Sequence, residues 1–148
     1  MRAVLDTGVL AEYIVARAPY RPRVEKLFGE AARGRLKLYV SVVTLSEALY
    51  VASRIYGAAG VEDPNEKALE FIDWVTARAT PVAADEDVAV RAGELKKRLR
   101  IALPDCYTIA TAQALDATPL FRAPEKEMIP VLEALRKAGV KFLDEVEA

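Results

Sequence analysis

The chain has 148 residues, 53% of them hydrophobic and 29% charged, with 21 Lys plus Arg against 22 Asp plus Glu and no histidine. That length fits one domain over residues 1–148, and the hydrophobic content excludes a disordered chain. No apolar run approaches the roughly 20 residues of a membrane span, so no membrane partner is expected. The lone Cys106 makes no internal disulfide, and Asp6 comes too early for a secretory signal; both point to the cytoplasm. Without histidine, Ser-His-Asp and Cys-His catalysis and His-rich metal sites are excluded. Any catalysis must use carboxylates, hydroxyls, amines or a metal.

The elements follow in order. Arg2 to Leu5 is a short apolar run ending at Asp6 and predicts a buried strand. Thr7 to Arg17 carries Val9, Leu10, Tyr13 and Ile14 at helical spacing. Pro19 and Pro22 open a second helix to about Gly34. Leu36 to Val40 predicts a strand, and Thr44 to Tyr56 a helix stopped by Gly57 and Gly60. Asp63-Pro64-Asn65-Glu66 reads as a capping box opening a helix to about Arg78. Thr80 to Ala83 is a short strand candidate, and Asp85 caps a helix through Leu99. Pro104-Asp105 opens a helix to Leu115. A strand over Thr118 to Phe121, a helix over Glu127 to Ala138 and a strand over Val140 to Leu143 complete the chain. Short apolar strands alternating with helices predict an α/β protein, a parallel sheet covered by helices on both faces.

In such sheets ligands bind beyond the carboxyl ends of the strands. Asp6 stands there, either as a helix cap or as a ligand. Glu47 follows the second strand and is flanked by Leu45, Ala48 and Leu49; it borders the crevice or lies exposed. Asp105 starts a helix of small residues, where a carboxylate also suits the helix dipole. Carboxylates gathered at one sheet edge repel one another unless a cation is present, and oxygen ligands suit Mg²⁺ or Mn²⁺.

Three segments carry a family resemblance: Val4-Leu5-Asp6-Thr7-Gly8, Ser46-Glu47-Ala48, and Pro104-Asp105-Cys106-Tyr107-Thr108-Ile109-Ala110-Thr111-Ala112. Their order and separations resemble the PIN domain, the nuclease fold of VapC-type toxins of toxin–antitoxin pairs. The resemblance implies a three-layer α/β/α fold with a parallel sheet of four to five strands in the order 3-2-1-4-5. It implies a metal-dependent endoribonuclease using Mg²⁺ or Mn²⁺, an RNA substrate, a small antitoxin partner and a homodimer. Asp6, Glu47 and Asp105 match the family's metal-binding acids, and Thr7 matches a hydroxyl position beside the first. The chain departs at the fourth acid. Ala123 holds that position in an ungapped match. With two extra residues Glu125 takes it, with Glu127 as the substitute; Asp116 lies at the opposite end of the sheet.

An acidic crevice needs cations nearby to hold a polyanion. Arg122 and Lys126 flank the fourth-acid position and are the expected substrate contacts. Arg17, Arg21 and Arg23 lie beyond the first helix. Lys96, Lys97, Arg98 and Arg100 lie shortly before Asp105 but read first as a solvated helix face, since Leu95 and Leu99 take its buried positions. Cys106 reads as a buried thiol, and Phe71, Trp74 and Val75 as core packing. Other readings are a degenerate PIN domain that binds RNA or protein without cutting, and an RNA-processing nuclease without an antitoxin. A third is an aspartic protease on the strength of Asp6-Thr7-Gly8, a class richer in strands than this chain.

Overall fold

A computed structural model of the chain describes residues 1–146. Among them are five strands, β1 (Arg2–Leu5), β2 (Lys37–Ser41), β3 (Thr80–Val82), β4 (Thr118–Phe121) and β5 (Lys141–Phe142). They form one parallel sheet in the order β3-β2-β1-β4-β5. β1 is central. Leu5 pairs with Leu120, and the amide of Asp6 donates to the Leu120 carbonyl at 3.0 Å. The order reverses beside β1, so the crevice beyond its carboxyl end opens at the topological switch point.

The helices are α1 (Thr7–Ile14), α2 (Arg21–Ala32), α3 (Val42–Ala58), α4 (Pro64–Thr76), α5 (Glu86–Leu99), α6 (Leu103–Leu115) and α7 (Leu132–Lys137). α3 packs on α4 and α5 on α6. The core falls into two clusters. One joins β1 and β2 to α1–α4 and includes the aromatic group Tyr13, Phe28, Phe71 and Trp74, with Tyr13 and Trp74 stacked at 4.2 Å. The other joins α5, α6 and α7 to Phe121 and Phe142. Phe71 and Val75 are buried and Trp74 is half-buried in this group, as core packing requires.

Several boundaries differ from the sequence-based expectation for identifiable reasons. α1 ends at Ile14 rather than Arg17, because the chain leaves the helix at Val15 and turns back until the Tyr20 amide donates to Glu12 Oε2 at 2.8 Å. Gly57 lies inside α3; the turn comes at Gly60, which takes φ +74°. The capping box before α4 does not form. Asp63 sits in the left-handed region at φ 52°, where its side chain makes no cap bond, while Pro64 opens the helix as expected. The helix expected over Glu127 to Ala138 is a 3-10 segment, Lys126–Val131, followed by the short α7. Pro130 lacks an N–H and crowds the carbonyl four residues back, so an α-helix does not pass through it.

Candidate active site

Asp6 is placed by β1 and by α1 together. It follows the strand, caps the helix, and its Oδ2 accepts from the Gly8 amide at 3.2 Å. Both readings of Asp6 therefore coexist, because the second oxygen remains. Asp6 Oδ1 is buried and has no hydrogen-bond partner among the described residues. Asp105 sits in the first turn of α6 and is likewise buried, with Oδ2 unpartnered. Ala102, not Asp105, is the cap residue of α6, so Asp105 is not a cap. Two orphaned carboxylate oxygens inside one fold are costly unless a cation completes them.

Glu47 projects from α3 and is half-buried. Its Oε1 accepts the hydroxyl hydrogen of Thr7, which orients the carboxylate across the crevice. Glu125 and Glu127 reach the same place from beyond β4. One carboxylate oxygen each of Asp105, Glu125 and Glu127 lies within 4.8 Å of the others. Asp6 and Glu47 stand outside that tight trio, yet their charges act on it. Glu125 and Glu127 differ in their bonds. Glu127 Oε1 accepts from the Ala102 amide at 3.1 Å and ties the 3-10 segment to the start of α6. Glu125 makes no hydrogen bond through its side chain among the described residues and faces solvent.

Burial and crowding set the protonation of these groups. Asp6 is pushed up to about 7, first by desolvation and then by the charges of Glu47 and Glu125 against its two backbone hydrogen bonds. Asp105 is pushed up to about 8, again first by desolvation, then by the charges of Asp6, Glu125, Glu47 and Glu127. Glu125 is raised by partial burial and by Glu127 and Glu47. Burial first and mutual repulsion second thus disfavour the charged forms of these acids. Hard oxygen donors in such a cluster fit Mg²⁺ or Mn²⁺ by donor type and charge.

The cations are more committed than the sequence suggests. Arg21 pairs with Glu25 and donates to the Tyr13 carbonyl at 2.8 Å. Arg23 donates to the carbonyls of Leu143 and Val146. Lys96 donates to the Ile101 carbonyl at 2.7 Å, so it is a structural clasp and not part of a free basic face. Lys126 is exposed beside Glu125. Arg122 follows β4 and pairs through Nε with Glu12, a buried carboxylate on α1 that the helical pattern alone does not single out. Asp116 closes α6 in the left-handed region at φ 51°, ahead of β4 and away from the acids.

Cys106 is fully buried and its thiol is pushed up to about 11, first by burial and then by the charge of Asp105. A thiol in that state is inert. Native protein treated with iodoacetamide at pH 8 is expected to stay unmodified by mass spectrometry, and the unfolded chain to take one adduct. Rapid alkylation of the folded protein would show that Cys106 is not held as described. Tyr107 is half-buried against the cluster around Phe121.

The family model of the PIN domain matches residues 3–123. Among solved structures, the chain is similar to VapBC2 from Rickettsia felis bound to a DNA fragment from its promoter, at 17% identity over 96% of this chain and 98% of that chain, with a TM-score of 0.70. It is similar to VapBC-1 from nontypeable Haemophilus influenzae at 17% identity over 98% of this chain and 100% of that one, with a TM-score of 0.65. A toxin–antitoxin complex from Klebsiella pneumoniae matches at 18% identity over 97% and 99%, with a TM-score of 0.64. At these identities the likeness is one of fold, and it includes the five-stranded order described above. No curated protein matches the chain. Because the family model covers most of the sequence, from the first strand past the fourth, the chain belongs to the PIN domain family.

Proposed function

We propose that this protein is a divalent-metal-dependent endoribonuclease that hydrolyses RNA phosphodiester bonds, acting as the toxin of a toxin–antitoxin pair. The observation that carries the reading is the pair of orphaned, buried carboxylate oxygens, Asp6 Oδ1 and Asp105 Oδ2, in one acidic crevice with Glu47 and Glu125. Asp6, Glu47, Asp105 and Glu125 would hold the ion. When bound, Mg²⁺ or Mn²⁺ supplies Lewis-acid polarisation of the phosphate and acidifies water. Thr7 keeps Glu47 aimed into the crevice through its hydroxyl. Arg122 and Lys126 supply positive charge at the rim for the RNA backbone.

An antitoxin partner is supported by the solved relatives, whose structures are toxin–antitoxin complexes. A homodimer is the expected assembly of the toxin itself. Purified full-length protein is expected to cut single-stranded RNA with Mg²⁺ or Mn²⁺ and to stop on addition of EDTA. Cutting that persists in EDTA, or no cutting with either ion, overturns the reading.

The fourth ligand is assigned to Glu125. Its carboxylate is free, whereas Glu127 already serves the α6 entry. Glu125→Gln is expected to weaken Mg²⁺ binding about tenfold, which corresponds to about 1.4 kcal/mol. Glu127→Gln retains an acceptor for the Ala102 amide and is expected to leave the Mg²⁺ affinity within about twofold, well under 1 kcal/mol. Titration of both variants with Mg²⁺, followed by cleavage rate, compares them directly. The reverse ranking assigns the role to Glu127.

A further inference from the structure

Glu12 makes contacts that the acidic crevice does not explain. It lies on α1, is 5% exposed, and both of its carboxylate oxygens are occupied. Oε2 accepts from the Tyr20 amide at 2.8 Å, and Oε1 accepts from Arg122 Nε. A carboxylate this buried is tolerated only when paired and hydrogen-bonded, and here the partner comes from the segment after β4. The Arg122 side chain is 43% exposed, and its guanidinium lies 5.5 Å from the centre of the Tyr20 ring. Only one of its five N–H groups is used; Nη1 and Nη2 have no partner among the described residues. Pinning Nε to Glu12 and setting the guanidinium near the ring restrains the side chain while leaving it 43% exposed, with both Nη groups uncommitted among the described residues.

The stem of that side chain passes beside the first acid. A Cβ added to Gly8 would lie 3.2 Å from Arg122 Cβ and 3.6 Å from Asp6 Oδ2, so Gly8 is the close approach between the two. A restrained guanidinium with its Nη pair free matches two oxygens of one phosphate. The neighbouring cations Arg21, Arg23 and Lys96 are bonded internally.

We infer that Glu12 is a positioning residue, holding Arg122 with Tyr20 so that its Nη pair grips a non-reacting phosphate of a single-stranded RNA next to the bond that is cut. The inference rests on the ribonuclease reading and adds to it the residue that aims the substrate contact. A contact to a phosphate whose charge does not change in the reaction holds ground state and transition state alike, so its loss falls on KM.

The test measures steady-state cleavage of a short single-stranded RNA with Mg²⁺, and binding of the same fluorescein-labelled RNA by fluorescence anisotropy in an Asp6→Asn background across a salt series. Arg122→Gln is expected to raise KM about tenfold with kcat within about twofold, and to flatten the log–log salt slope by about 0.7, the value for one phosphate contact on a single strand. Glu12→Gln is expected to raise KM about threefold with the salt slope unchanged, because the Arg122 charge remains. Arg122→Lys is expected to recover the slope without recovering KM, since a point charge lacks the fork. The double variant Glu12→Gln with Arg122→Gln leaves no unpaired buried charge, and it is expected to match Arg122→Gln alone; this separates lost contact from lost fold. An unchanged slope in Arg122→Gln, or a loss confined to kcat, overturns the inference while cleavage by the wild type stands. A wild type that cuts no RNA overturns the ribonuclease reading, and the inference falls with it.

Discussion

Asp6→Asn is expected to abolish cleavage and, at the same time, to make the metal-free protein more stable at pH 8. The first effect follows from removing a charged ligand at the centre of the crevice; a loss of about three orders of magnitude in kcat corresponds to about 4 kcal/mol. The second follows from the raised pKa. Asp6 titrates near 7 in the folded chain against an ordinary 3.8, so folding binds a proton that the unfolded chain releases. A group raised in this way costs nothing below about pH 4, where both states are neutral. Its cost grows as pH rises and is complete above about 7. A shift of about three units sets an upper bound near 4 kcal/mol. Because Asp6 and its neighbours share the burden, a gain of about 2 kcal/mol is the reasonable expectation, or a rise of roughly 4–8 °C in Tm for a domain of this size. Asparagine keeps an acceptor for the Gly8 amide, so the cap survives. Calorimetry in EDTA at pH 5 and pH 8 checks this: the variant should exceed wild type at both, by about a third as much at pH 5 as at pH 8. A variant less stable than wild type at pH 8 would mean that Asp6 is a structural anchor.

Mg²⁺ or Mn²⁺ is expected to raise the Tm of the wild type, and to do so far more at pH 8 than at pH 6. Ligands must shed their protons before they bind a metal. At pH 6 Asp6 and Asp105, titrating near 7 and 8, are largely protonated and the ion competes poorly. At pH 8 Asp6 is largely charged and Asp105 about half so, and an ion that neutralises them gives the larger gain. At a hundredfold excess over Kd the stabilisation is about 2.7 kcal/mol, or roughly 5–11 °C. EDTA should reverse it, and the double variant Asp6→Asn with Asp105→Asn should show almost none. Equal shifts at both pH values, or a shift that survives the double variant, would place the ion elsewhere on the protein.

Much of the fold is legible along the chain because it is written locally. The strand over Thr118 to Phe121 matches the structure at both ends, and Asp85 caps α5 by accepting from the Val88 amide. Strand order is another matter: apolar runs identify strands but not their neighbours, and the order 3-2-1-4-5 came from the resemblance of three motifs. Local rules also compete. Asp63 satisfies the capping pattern, yet the chain enters α4 through a left-handed residue. Pro130 forbids the long helix that its apolar neighbours imply. In the site, Asp6, Glu47 and Asp105 are marked by their places relative to strands. The bonds that organise them are not, because each joins residues distant in sequence: Thr7 to Glu47, Ala102 to Glu127, and Glu12 to Arg122. Side-chain periodicity has no memory across such separations.

The crevice is mounted on two supports of unequal stiffness. Asp105 rides on α6, whose residues Asp105 to Ala112 are almost all buried, Tyr107 being the exception. Glu125 and Glu127 ride on an exposed 3-10 segment anchored by Met128 and by the bond to Ala102. Burial ties Asp105 to the core, whereas the 3-10 segment is held by one buried side chain and one bond to α6. Substitutions on the buried α6 wall are therefore expected to cost stability, and those at exposed positions of the 3-10 wall far less. Ala123 and Glu125, the two positions at which the fourth acid is sought, both fall at the start of the exposed wall.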